Sequence, residues 1–174
     1  AVIQLKKAFR SREPYSRERF FLAETLIQLR MYEGALQQVE RCLDAEPDFG
    51  EAKVEKANLL YLMNRFIETR EWIQSVSEEF TDHAPIINLL GNAEFSLGNW
   101  EAAAKSYEEA VSIEADMPIF AWNAARSWDY AGNLEKAKEL YRKAALGFFR
   151  QDAYEDLLPV RVRKEMEAPA GVSA

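Results

Sequence analysis

The sequence predicts an all-α solenoid built from stacked antiparallel helix pairs. Three observations carry this. Small residues recur at Ala23, Ala57, Gly91 and Ala125, each 34 residues after the last. Three further rows keep the same step: Ala35, Thr69, Ala103 and Ala137; Val39, Ile73, Tyr107 and Tyr141; Cys42, Val76, Ala110 and Ala144. Four rows in one register define a repeat array, in which each unit completes its core by stacking on a neighbour. Finally, each repeat reads as two helices about a turn. In the third, Ile86, Leu89, Leu90, Ala93 and Leu97 precede Gly98-Asn99, and Ala103, Ala104, Tyr107, Ala110, Val111 and Ile113 follow it at helical spacing.

The register then orders the chain. Residues 1–12 match second-helix slots at Ala1, Leu5 and Ala8. They read as the second helix of a truncated upstream repeat, or else as a capping helix. The slot match favours an excised fragment with more repeats upstream. Four repeats follow at 16–49, 50–83, 84–117 and 118–150. Helices are expected over 86–97 and 100–115 in the third repeat, and over 118–131 and 134–148 in the fourth, about the turn Gly132-Asn133. Residues 151–167 read as a C-terminal capping helix, with Tyr154, Leu157 and Leu158 on its packing face and Pro159 ending or kinking it. Residues 168–174 read as a flexible tail. Asp48, Asp82 and Asp116 precede first helices, where a carboxylate can cap free N–H groups and complement the helix dipole. Asp48 and Glu51 have capping-box spacing. Pro85 and Pro118 fall in a first turn, where a missing N–H does no harm.

This pattern resembles the tetratricopeptide repeat, a 34-residue unit with the signature W-x2-L-G-x2-Y, then A-x3-F, then P. The third repeat supplies Leu90-Gly91 and Ala103-x3-Tyr107; the fourth Ala124-Ala125-x2-Trp128 and Ala137-x3-Tyr141; the first Leu22-Ala23, Ala35-x3-Val39 and Pro47. The second diverges most, with Lys56-Ala57, Thr69-x3-Ile73 and Thr81. The tryptophan slot is lost, held by Arg19, Lys53, Ile87 and Ala121. The resemblance covers roughly residues 1–150 and implies a right-handed superhelix. Gly or Ala in the small slot lets two helix axes approach closely.

Composition narrows the function. Of 174 residues 48% are apolar, ample for a helical core, and the net charge of −7 argues against wholesale nucleic-acid binding. The first twenty residues are nonetheless basic through Lys6, Lys7, Arg10, Arg12, Arg17 and Arg19, read as a solvated face. No run is long and apolar enough to insert in a membrane. Cys42 occupies a slot held elsewhere by Val or Ala and so reads as packing. His83, the single histidine, lacks ligand partners nearby, so no metal is expected. Glu78-Glu79 and Glu108-Glu109 read as solvated surface. No phosphate loop, nucleophile motif or zinc spacing is present, so neither catalysis nor a cofactor is expected.

The resemblance also implies a binding face, because first helices line a concave groove in this family. The groove positions carry over to Phe20, Glu24, Ile27 and Gln28; Val54, Asn58, Tyr61 and Leu62; Asn88, Asn92, Phe95 and Ser96; Trp122, Arg126, Asp129 and Tyr130. Aromatics mix there with an amide row, Asn58 and Asn92, ending in Arg126. Asparagine has both a donor and an acceptor for a peptide backbone, and Trp, Tyr and Arg are favoured as hot spots. Some family members clamp the C-terminal carboxylate of chaperone tails with an Asn-Asn-Arg row and two lysines. Here the lysine places hold Val54 and Trp122, which disfavours that ligand. The expected function is therefore a protein-interaction scaffold that binds a peptide or partner helix. The alternatives are a structural domain that self-assembles through its open N-terminal face, or the non-catalytic targeting domain of a larger enzyme.

Overall fold

The computed structural model describes residues 15–148. The helix expected over 1–12, with the open face it would leave, and the cap and tail expected over 151–174 lie outside these residues. Eight α-helices are present among the described residues: α1 (Ser16–Gln28), α2 (Tyr32–Ala45), α3 (Gly50–Leu62), α4 (Phe66–Ser75), α5 (Ala84–Ser96), α6 (Trp100–Ile113), α7 (Pro118–Tyr130) and α8 (Leu134–Phe148). A single turn of 3-10 helix, Ser77–Glu79, follows α4. No strand occurs among the described residues. The helices are the paired elements of an α-solenoid, gathered into two compact units divided between Glu79 and Phe80.

Every member of the four 34-residue rows is buried. In the first unit, α1 packs on α2, α2 on α3 and α3 on α4. Leu22, Leu26, Leu36, Val39, Phe49, Leu59 and Leu60 form its core with Ala23, Ala35, Ala52 and Cys42. Each large side chain removed from water there contributes about 1.5–3 kcal/mol. Burial pushes the Cys42 thiol up to about 11, with Arg19 opposing and Glu46 reinforcing the rise. Its Sγ–H donates to the Ser16 carbonyl at 3.1 Å, so Cys42 packs as its slot implied. In the second unit, α5 packs on α6, α6 on α7 and α7 on α8. Ala103, Tyr107 and Ala124 form one cluster, and Ala104, Ala125, Trp128, Ala137 and Tyr141 another. A Cβ on Gly91 would lie 2.7 Å from a Tyr107 ring carbon, so glycine here makes room for that ring.

One more row emerges in three dimensions. Arg30, Asn64, Gly98 and Gly132, again 34 residues apart, all have positive φ, at 57°, 59°, 79° and 83°. Each ends a first helix in the same way. The amides of Arg30 and Met31 donate to the carbonyls of Ile27 and Leu26, at 2.8 and 2.9 Å. Asn64 and Arg65, Gly98 and Asn99, and Gly132 and Asn133 repeat the pair. This is a Schellman motif, which satisfies carbonyls that the helix leaves open. Asn99 reinforces its turn by donating through Nδ2 to Glu94 at 2.6 Å.

The aspartate caps do not form. The N-cap residues are Phe49, His83 and Met117, each one position later, and Phe49 and Met117 make no side-chain cap bond. Phe49 is buried against Phe20, ring centroids 5.1 Å apart, and this contact sets where α3 begins. Asp48 is left outside the helix, and the box with Glu51 is not made. His83 caps α5 through Nδ1, which accepts from the Ile86 amide at 3.2 Å. Two expected surface acids also have structural partners. Glu79 pairs with Lys53, a lysine only 6% exposed. Glu108 accepts from Trp128 Nε1 at 3.0 Å.

Candidate functional site

In the first unit the predicted face is drawn partly into packing. Phe20 and Ile27 lean on the core, and Val54 is half-buried. Asn58 is half-buried and hydrogen-bonded to Glu55, whose carboxyl is held above the usual range chiefly by burial. Asn58 opposes that rise, and the nearby Glu24 charge adds to it. The ring of Tyr61 lies 5.4 Å from that of Phe66. Away from this face, Glu40, Leu43, Asp44, Pro47, Lys56 and Trp72 line a cleft of about 400 Å³. Lys56 spans it, 3.3 Å from Glu40 and 4.4 Å above the Trp72 ring.

In the second unit two stripes come together. Asn88, Asn92 and Phe95 fall at helical spacing along α5, and Trp122, Arg126 and Tyr130 along α7. The Arg126 guanidinium sits over the Phe95 ring at 4.3 Å and joins the stripes. Phe95 meets Tyr130 edge-on at 5.4 Å and Trp100 at 4.8 Å, while Trp100 and Tyr130 lie 5.0 Å apart. Three rings therefore enclose one patch. Arg126 is exposed, and Tyr130 remains 56% exposed despite its two ring contacts. Trp122 is half-buried and packs edge-on against Tyr141 at 4.9 Å. Asp129, expected on the face, is buried instead.

Each of two amide oxygens accepts one hydrogen bond. Tyr107 donates its hydroxyl to Asn92 Oδ1 at 2.7 Å, and Asn123 Nδ2 donates to Asn88 Oδ1 at 3.3 Å. An amide oxygen has two lone pairs, so each asparagine keeps acceptor capacity beside the donors of its NH2 group.

Trp100 was not among the predicted positions because it opens a second helix. Its signal lies in a row that the register contains: Tyr32, Phe66, Trp100 and Leu134 are again 34 apart. The Phe95–Trp100 pair is the repeat equivalent of Tyr61–Phe66. No group of three or more His, Cys, Asp or Glu side chains that could hold a metal occurs among the described residues. None of the described helices is long and apolar enough to cross a membrane.

Comparison with known proteins agrees with this architecture. A family model described as tetratricopeptide repeat matches residues 84–117, the third repeat as bounded by the register. A TPR repeat-containing protein of Treponema pallidum (strain Nichols) is 24% identical over 141 residues, covering 81% of this chain. The chain spans only 17% of that relative's length. Among solved structures, MamA 41-end from Desulfovibrio magneticus RS-1 superposes with a TM-score of 0.79 at 17% identity, covering 87% of this chain and 86% of that one. A second MamA crystal structure gives 0.77 at 16% identity, covering 82% and 84%. At such identity these two speak for the fold. With the period, the buried rows and the matched third repeat, these likenesses support assignment of the chain to the tetratricopeptide-repeat family.

Proposed function

We propose that this chain binds a peptide or partner segment on the faces of its first helices, and that in the second unit the face is the patch of Phe95, Trp100, Trp122, Arg126 and Tyr130. A tetratricopeptide-repeat fold is in general a protein-interaction scaffold, and the finer assignment rests on one observation. Phe95, Arg126 and Tyr130, positions that the family resemblance implies for the groove, join Trp100 of α6 in an aromatic triangle with a cation stacked on it. Core packing does not account for it, since Tyr130 and Arg126 are exposed. Aromatic and arginine side chains are the types that dominate binding energy when a partner desolvates them. The role proposed is one of binding, which exposed aromatic and arginine side chains serve without any chemical step.

The test is a pull-down from the source organism's lysate with the parent chain and the Arg126→Ala/Tyr130→Ala variant. Both residues are exposed, so the variant should keep its unfolding midpoint. It should lose proteins that the parent retains. Equal capture by both would place the binding surface elsewhere.

A further inference from the structure

We infer that the first unit holds a second site: the cleft among α2, α3 and α4 takes the side chain of an arginine in a partner segment. It lies outside the patch of the second unit and is independent of it. The cleft falls where one repeat departs from the register. Lys56 stands in a row with Leu22, Leu90 and Ala124, 34 residues apart. Leu22 and Ala124 are buried, and Leu90 is half-buried. A lysine in this slot cannot give up water without a partner for its charge. It turns to Glu40 of α2, 3.3 Å away, and over the Trp72 ring of α4 at 4.4 Å. The indole is fixed at its edge as well, since Nε1 donates to the Lys53 carbonyl at 3.0 Å. An opening of about 400 Å³ is left beside them, a size usual for ligand clefts.

The charges of the cleft do not balance. Lys56 answers Glu40, and Arg65, another cation that feels Glu40, is held by Glu68, Nε to Oε1 at 2.7 Å. Asp44 follows Glu40 by four residues, on the same face of α2. Its carboxylate makes neither a hydrogen bond nor an ion pair among the described residues. The complement of a spare carboxylate is a cation. Leu43 and Pro47 beside it are apolar and suit the methylene stem of a long basic side chain. Arginine fits better than lysine, because its planar fork meets a carboxylate through two parallel N–H donors and it is more weakly hydrated. An anion would face two carboxylates against one ammonium. Free arginine carries a carboxylate of its own that those acids repel, so the residue within a chain is the better match. The excess of 29 acidic over 22 basic side chains draws such a segment in.

The experiment is an NMR titration of the whole chain with the capped peptide acetyl-Gly-Ser-Arg-Ser-Gly-amide and its citrulline counterpart, in which a neutral urea group replaces the guanidinium. The arginine peptide should shift the Trp72 indole resonance and the amides of Leu43 and Asp44. It should bind at least about fivefold tighter than the citrulline peptide, a difference readily read in Kd. Free arginine should bind more weakly than the capped peptide. Asp44→Asn should weaken the arginine peptide at least about threefold. Its unfolding midpoint should not change, since Asp44 is exposed. Lys56→Met removes the resident ammonium, frees Glu40 for the guanidinium and should tighten binding. Equal affinity for the two peptides, no shift with either, or an Asp44→Asn variant that binds like the parent would overturn the inference. So would weaker binding by Lys56→Met at unchanged midpoint, since the ammonium would then be the group that ligands meet. Free arginine binding as well as the capped peptide would make the cleft a small-molecule site and remove the partner segment. The lysate comparison, which varies Arg126 and Tyr130, is decided separately.

Discussion

Arg30 adopts a backbone angle that glycine adopts at the equivalent positions 98 and 132. A side chain in the left-handed region crowds the following carbonyl, at a cost of about 1–2 kcal/mol. Asparagine, as at 64, tolerates it better than arginine does. Arg30 is exposed, and its backbone completes the Schellman pair without help from its side chain. Arg30→Gly should therefore stabilise the chain by about 0.5–1 kcal/mol, the relief of strain being partly offset by the greater freedom of an unfolded glycine. Urea unfolding would show this as a rise in midpoint at unchanged slope. A fall in midpoint would mean that the arginine side chain holds the turn.

At the scale of helices, the 34-residue step exposed nearly every element, because burial acts on whole rows. A residue in contact with two neighbouring helices must be small or well shaped in every repeat, so the sequence repeats where packing repeats. Helix ends were less legible. Asp48, Asp82 and Asp116 have the right chemistry for caps, but the start of α3 is set by burial of Phe49, a contact with Phe20 some thirty residues distant. The stripes along α5 and α7 were visible through register alone. The partners of their amides were not, since Tyr107 and Asn123 reach them from other helices. Burial also leaves a titration signature in α3. The Glu55 carboxyl is raised mainly by desolvation, which disfavours its charged form in the folded chain. Its contribution to stability is full below the unfolded value of 4.5 and is lost as pH rises through the higher folded value. Glu55→Gln keeps a side chain able to bond Asn58 and has no charge to bury. The variant should be more stable than the parent at neutral pH, with the difference closing as pH falls below 4.5. Thermal midpoints for both chains across that range would measure the difference. A gap that widened toward acid pH would contradict the burial account.

Taken whole, the chain carries 29 acidic against 22 basic side chains, and this excess acts on any ligand before contact. Arg126 is a local cation on the proposed patch, whereas the long-range field is negative. Oriented approach of an acidic peptide is therefore opposed until it comes within about a Debye length of Arg126, about 10 Å at 0.1 M salt. The two lysines that would reverse this in a carboxylate clamp are replaced by Val54 and Trp122. At low salt an acidic peptide should associate more slowly than a neutral one, by about threefold or more. Raising the ionic strength should accelerate the acidic peptide and leave the neutral one nearly unchanged, because screening removes a repulsion that only the first experiences. Stopped-flow association rates at two salt concentrations test this directly. If salt instead slows the acidic peptide, the local field of Arg126 outweighs the net charge. An acidic tail would then be the better candidate ligand, even without the clamp lysines.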